Sequence, residues 1–265
     1  MRVLEQPCFV LVNRPYSETS WIVDVFSRSF GRQALMAKGA RRLKSKHRGM
    51  LLPFQPLLIS WVGKGEVPTL TNAELDFSRF SGWEYELKGR AKICGFYCNE
   101  LLAALIQRGD PNSTLFDFYQ QTLDRLLKSS PEKINAGNGI NSSGLTAGLF
   151  KILRDFELCL IRESGYGVSL DKEANSSREI EDSEFYQFVP KRGFVNANVV
   201  GKGNSAVGHS SSYFQGHVIK SLSLGESVDL GPVARTQSKQ IMRMMLSDVL
   251  GHKRIMSRDL FFPRV

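Results

Sequence analysis

"TSWIVDVFSRSFGRQALMAKG", residues 19–39, alternates apolar and polar side chains, breaks around Ser29 to Gly31, and resumes. Trp21, Val23 and Val25 fall on one side of the first run and Ile22 and Asp24 on the other, the pattern of a half-buried β-strand. "PCFVLVN" (7–13), "QPLLISWVG" (55–63) and "VPTLTNAEL" (67–75) have the same character, with Gly, Pro, Ser and Asn between them. Two strands within the opening stretch and three outside it make five short strands in about eighty residues. That set predicts a small Greek-key barrel, and the five-stranded OB-fold is one such barrel.

After about residue 82 the period lengthens from two to about 3.6 residues. "ELKGRAKICGFYCNELLAALIQRG" (86–109), "STLFDFYQQTLDRLLKS" (113–129), "LTAGLFKILRDFELCLIRESGYG" (145–167) and "ARTQSKQIMRMMLSDVLGHK" (234–253) predict helices, and "SRDLFFPRV" (257–265) a short last one. Ser113 and Ser257 stand where helix N-caps belong. Leu115, Phe118, Tyr119, Leu123, Leu126 and Leu127 mark the inner face of the second helix, and Ile241, Met244, Met245 and Val249 that of the fourth. "EFYQFVPKRGFVNANVV" (184–200) predicts a hairpin turning near Lys191 to Gly193. The expected class is α+β, with an OB-fold barrel over 1–81 and an α-helical domain over 82–265. A hairpin and a low-complexity insertion at about 171–230 fall inside the second.

The net charge of +9 is concentrated. Between Val25 and Gly65 there is no acidic residue and there are nine basic ones. Uncompensated charge repels itself, so its concentration points to an anionic partner, nucleic acid first and an acidic membrane surface second. Lys38, Arg41, Arg42, Lys44, Lys46 and Arg48 crowd six cations into eleven positions of the connection between the third and fourth strands. They are the candidate phosphate contacts, with Arg32 and Lys64 as outer members. Tyr16, Phe30, Phe54 and Trp61 are rings that serve either as stacking platforms or as barrel core, the core reading being favoured because small barrels need large interior side chains.

Other chemistries find little support. Cys94 and Cys98 are spaced C-x-x-x-C with no second pair, and they continue into the helical stripe Leu101, Leu102 and Leu105, so they read as core cysteines. The four histidines form no ligand pair, and no metal or cofactor is expected. There is no G-x-S-x-G, H-E-x-x-H, Walker lysine or dinucleotide fingerprint; "GKGNS" (201–205) lacks the earlier glycine of a phosphate loop. No catalytic residues are assigned and the chain is not expected to be an enzyme. No apolar run is long enough to span a bilayer and the N-terminus lacks a signal-peptide cleavage site, which makes the cytoplasm the expected compartment.

"NRPYSETSWIVDVFSRSFGRQALMAKGARR" (13–42) and "LLPFQPLLISWVGKGEVPTLTNAEL" (51–75) closely resemble the N-terminus of the bacterial RecO family of recombination mediators. The resemblance continues through "YCNELL" (97–102), "DFELCLIRESGYGVSLD" (155–171), "KRGFV" (191–195) and "SRDLF" (257–261). It implies an N-terminal OB-fold, an α-helical domain and a protein that binds single-stranded and double-stranded DNA. It also implies that the protein anneals complementary strands and, with RecR, helps load the recombinase onto DNA coated by the single-stranded-DNA-binding protein. Many relatives carry a four-cysteine zinc module where this chain reads "LDKEANSSREIEDSE" (170–184), so it resembles the zinc-free members. In relatives the acidic tail of the single-stranded-DNA-binding protein docks on the helical domain. An apolar pocket with cations at its rim would suit such a tail, and Arg154, Phe156, Lys239 and Arg243 are the candidates. An RNA-binding or ribosome-associated OB protein is the alternative, since basic OB-folds bind both polymers, and a nucleic-acid-cleaving enzyme is a third.

Overall fold

A computed structural model describes residues 1–47, 49–79, 86–129, 142–200, 212–223 and 231–261. Arg48 and the stretches 130–141 and 201–211, which include "GKGNS", lie outside the described residues.

All five expected N-terminal runs are strands: β1 (Arg2–Tyr16), β2 (Ser20–Ser27), β3 (Gly31–Ala37), β4 (Pro56–Val62) and β5 (Thr69–Leu75). They close into a barrel in the order β1-β2-β3-β5-β4, the five-stranded arrangement of an OB-fold. β1 is longer than its apolar centre because it serves two neighbours. Its first half pairs with β4, its second with β2, and register breaks between Val3 and Gln6 and between Val10 and Val12 bend it round the barrel. The ring closes where Met36 of β3 meets Thr69 of β5 and donates its N–H to the Pro68 carbonyl at 2.8 Å. Val23, Val25, Leu35, Ile59 and Trp61 fill the interior.

The outer face of β1 and β2 is covered by α1 (Gly89–Leu105) and α2 (Ser113–Lys128). Phe9 and Phe26 point away from the barrel core and meet Phe116 with ring centroids 5.3 and 5.4 Å apart. Arg28 holds Asp117 of α2 in a bidentate pair at 2.9 and 2.8 Å. Gly95 of α1 lets Leu87 and the Phe54 ring close on the helix: a Cβ there would come within 2.8 Å of both. Gly31 is under a double constraint, with φ +63° and the Asp110 carbonyl where a side chain would stand.

By compactness the chain divides into two units. One unit is Met1–Ile140 with Arg254–Val265; the other is Asn141–Lys253. α1 and α2 share an aromatic core with the barrel. α7 (Ser257–Phe261) packs on α1, where Glu100 accepts from the N–H groups of Met256 and Ser257 at 3.1 and 2.7 Å and from the Ser257 hydroxyl. The expected Ser257 cap is thus replaced by a carboxylate from a distant helix. At α2 the cap is Asn112, whose side chain accepts from Leu115 N–H at 2.8 Å, one position before the expected Ser113.

The second unit begins with α3 (Ser142–Ile161), which runs into a wider turn over Arg162–Tyr166 and stops where Gly165 takes φ +78°. The expected hairpin is β6 (Phe185–Val189) and β7 (Gly193–Asn196). β8 (Tyr213–Gln215), hidden in a low-complexity run, pairs with β6 to make a three-stranded sheet. Three helices complete the unit: α4 (Ala197–Val200), α5 (Gly216–Ser223) and α6 (Pro232–Leu250). After Leu170 the chain is closed by backbone hydrogen bonds. Glu173 N–H donates to Arg178 O and Ile180 N–H to Asp171 O, both at 2.8 Å, over a buried Ile180. No described helix is long and apolar enough to cross a membrane.

Candidate nucleic-acid interface

Leu57 of β4 pairs with Leu75 at the far end of β5, so the β3–β4 connection must return the chain along the length of the barrel. It does so as a series of tethered turns. Ala40 and Leu51 are buried in the barrel core, and Phe54 is buried against Phe96 of α1 with centroids 5.0 Å apart. Backbone N–H groups of Arg42 and Ser45 donate to Gly39 O and Arg42 O at 3.1 and 3.0 Å, and Asn13 of β1 holds the Leu51 carbonyl. Apolar residues anchor the connection inward, so the alternating cations have only the outward direction left.

Lys38, Arg41, Arg42, Lys44 and Lys46 are all exposed, and none forms an ion pair among the described residues. Two are steered by neutral groups. Arg41 donates to Ser17 O at 2.9 Å while its guanidinium lies 5.4 Å from the Trp21 ring centroid, and Lys46 donates to Asn72 Oδ1 at 3.2 Å. Lys64 is exposed in the β4–β5 turn. That turn lies at the barrel end where Val62 pairs with Thr69 and Met36 meets it, beside the β1–β2 turn whose Thr19 carbonyl accepts from Arg41 N–H. Both turns therefore adjoin the first cations of the loop. His47, buried in the same loop, is held below the usual imidazole range, first by loss of solvation and then by the Lys46 charge.

Arg32 does not belong to this group. Its side chain is only 13% exposed; it pairs with buried Asp24 at 3.0 Å and donates to the carbonyl of Ala103 and, at 3.5 Å, to that of Ile106. It fastens β3 to the end of α1, a role fixed by partners far away in sequence. The rings also divide. Trp61 and Phe54 are core, Phe30 is half-buried edge-on to Trp61, and Tyr16 is 51% exposed.

In the second unit, Phe156 is fully buried and so cannot line an open pocket. Arg154 is largely covered and pairs with buried Glu157 one turn along α3. Lys239 and Arg243 stand exposed on α6, and the Lys239 ammonium lies 5.9 Å from the centroid of the exposed Phe150 ring. This ring and the two cations are what remains of the expected rim.

Two cations escaped notice in the sequence. Arg14 and Arg108 both approach Asp24, which is already engaged by Arg32. Arg14 stands opposite Ile22 in the β1–β2 register, within two residues of Asp24 along β2, but nothing in the sequence brings Arg108 to that place.

A family model described as Recombination protein O N terminal matches residues 1–79, and one described as Recombination protein O C terminal matches residues 88–136. A protein named DNA repair protein RecO from Nitrosospira multiformis is 38% identical over 255 residues, 96% of this chain and 93% of the relative. Proteins of the same name from Burkholderia orbicola and Aromatoleum aromaticum are 39% and 37% identical over 98% and 97% of this chain, and 82% and 94% of their own lengths.

Proposed function

The chain belongs to the RecO family of DNA repair proteins, and from that premise we propose that it is a DNA-binding recombination mediator whose β3–β4 loop holds phosphates. The observation that supports this most directly is the loop itself, with five described cations turned outward by buried anchors and no carboxylate among the described residues paired with them. Cations on flexible stems that meet phosphate oxygens hold a backbone without reading sequence. Binding is accordingly indifferent to sequence and steeply dependent on salt.

Annealing follows from the same electrostatics. Complementary strands repel, a cationic surface screens that repulsion, and base pairing drives the product without nucleotide hydrolysis. In this reading the protein acts with RecR to load the recombinase onto DNA coated by the single-stranded-DNA-binding protein. The acidic tail of that protein docks at Phe150, Lys239 and Arg243, where a ring and two cations match an apolar, acidic peptide end.

Incubation of the pure protein with two complementary DNA strands, free of nucleotide and added metal, tests the reading, with equal amounts of the same sequence as RNA in competition. Faster duplex formation is the expected result. Preference for RNA would favour a ribosome-associated role, and strand cleavage would make the protein a nuclease.

A further inference from the structure

Asp24 is a buried carboxylate answered by three arginines. Arg32 approaches at 3.0 Å, Arg108 at 3.4 Å and Arg14 at 3.5 Å. Three guanidiniums against one carboxylate leave two positive charges in excess. Arg32 directs its two terminal nitrogens to Asp24 and to two carbonyls of α1 and the residue after it. The other two are held differently: each touches Asp24 through one terminal nitrogen, and their side chains are 57% and 46% exposed. A guanidinium has five N–H donors in a rigid fork, so most of those on Arg14 and Arg108 remain for a second anion. The nearby carboxylates of Glu18 and Asp110 take part in no ion pair among the described residues.

The surroundings give the site a direction. In the β1–β2–β3 register Arg14 stands opposite Ile22 and Ile22 opposite Met36, while Tyr16 stands opposite Ser20 at the next outward step. Ile22 and Met36 are half-buried and Tyr16 is exposed. Lys38, the first loop cation, follows Met36 by two residues. From Asp24 to Ser20 along β2 is four residues, about 13 Å at the rise of a strand. A strip of aliphatic surface with one phenol ring therefore joins the loop cations to the Arg14–Arg108 pair.

We infer that Arg14 and Arg108 form a second phosphate subsite, and that a single DNA strand held by the loop crosses Tyr16, Ile22 and Met36 to reach it. The inference rests on the DNA-binding reading of the loop and adds the path of the strand. Unstacked bases have faces to lay on the strip, and the ring of Tyr16 is its stacking platform. A paired duplex hides those faces, so the subsite serves single strands.

The test is affinity against salt for a single-stranded oligonucleotide of roughly 15 nucleotides, near the upper span of one OB barrel, and for a duplex of the same length. Arg14→Gln with Arg108→Gln removes two phosphate contacts, so the single-strand slope should become shallower by about 1.4 while the duplex slope stays. Arg14→Lys with Arg108→Lys keeps both charges and should keep the slope. Tyr16→Trp leaves Asp24 untouched, and its added fluorescence should be quenched by the single strand, which settles the matter even if the glutamine variant melts early. An unchanged slope in a folded glutamine variant, or an unquenched Trp, overturns the path. If removing Lys38, Arg42 and Lys44 still flattens the slope, the loop reading stands without it; if that fails as well, both fall. Equal flattening on the duplex overturns the restriction to single strands.

Discussion

Tyr119 of α2 donates its hydroxyl to Asn99 Oδ1 of α1, and the same Asn99 donates through Nδ2 to the carbonyls of Val10 and Leu11 in β1, at 3.4 and 3.0 Å. Both residues are buried, and the network crosses three elements at the seam between barrel and helices. A buried amide that loses a partner costs much more than the bond contributes in water. Tyr119→Phe keeps the ring against Phe9, 5.2 Å between centroids, and removes this donor. Unfolding free energy should fall by about 1–3 kcal/mol. Urea unfolding followed by tryptophan fluorescence measures it, since Trp21 and Trp61 both belong to the barrel. A variant as stable as the parent would show that the hydroxyl is dispensable to the seam.

That seam also marks where the sequence stopped being readable. Period-two runs placed the barrel strands because each has one face on a common core, and the burial of Leu149, Ile152, Leu153, Phe156 and Leu160 follows the helical period in α3. The inner face of α6 was met in part: Ile241 and Met245 are buried as expected and Met244 and Val249 only half-buried, while Met242, Leu246 and Leu250 are buried as well. Three adjacent apolar residues, Met244 to Leu246, let two neighbouring faces fit the period equally well. The basic loop was legible because exclusion of acidic residues is a property of sequence. Arg32, Arg14 and Arg108 were not, because their roles depend on one buried carboxylate that strand register and a helix end bring to them.

The cysteines give a prediction that depends on burial alone. All four are free and buried. Burial pushes the Cys8 and Cys94 thiols up to about 12 and that of Cys159 to about 11. A thiol raised so far is almost wholly protonated at pH 8, and the thiolate is the reactive form. A colourimetric disulfide reagent should therefore find no fast-reacting thiol in the native protein and all four after denaturation. One fast thiol in native protein would place a cysteine in an open site rather than in the core.

His47 should make stability depend on pH. Its folded-state value lies below the ordinary one because burial and then Lys46 disfavour the charged imidazole. The unfolded chain thus takes up the proton first, near the ordinary value of about 6.5. Stability is full above that pH and declines as the pH drops below it toward the folded value. His47→Gln removes the titration, so the loss of melting temperature between pH 7.5 and pH 5.5 should be smaller than in the parent. Thermal melts at several pH values compare the two directly, and identical pH dependence would mean that His47 stays accessible to solvent.

Lys38, Arg42 and Lys44 carry the decisive prediction for function. They are exposed, paired with no carboxylate among the described residues, and bonded through their side chains to no other group there. Their replacement by alanine should leave the fold in place, because isolated surface charges contribute little to stability. If each contacts one phosphate of a single strand, the plot of log affinity against log salt should become shallower by about 2, at roughly 0.7 per contact. Two unrelated oligonucleotides should be weakened alike, since phosphate contacts carry no sequence information. Arg32→Ala should do the reverse. Loss of the nearest partner of buried Asp24 should lower stability by about 1.5–3 kcal/mol, the range for hydrogen bonds to charged groups, with the salt slope unchanged. Salt titrations by fluorescence anisotropy and thermal melts on the two variants separate the roles. A triple variant that stays folded and keeps the parent's slope would reduce the loop to a solvated connection, and the main DNA contact would then have to lie on other surfaces of the chain.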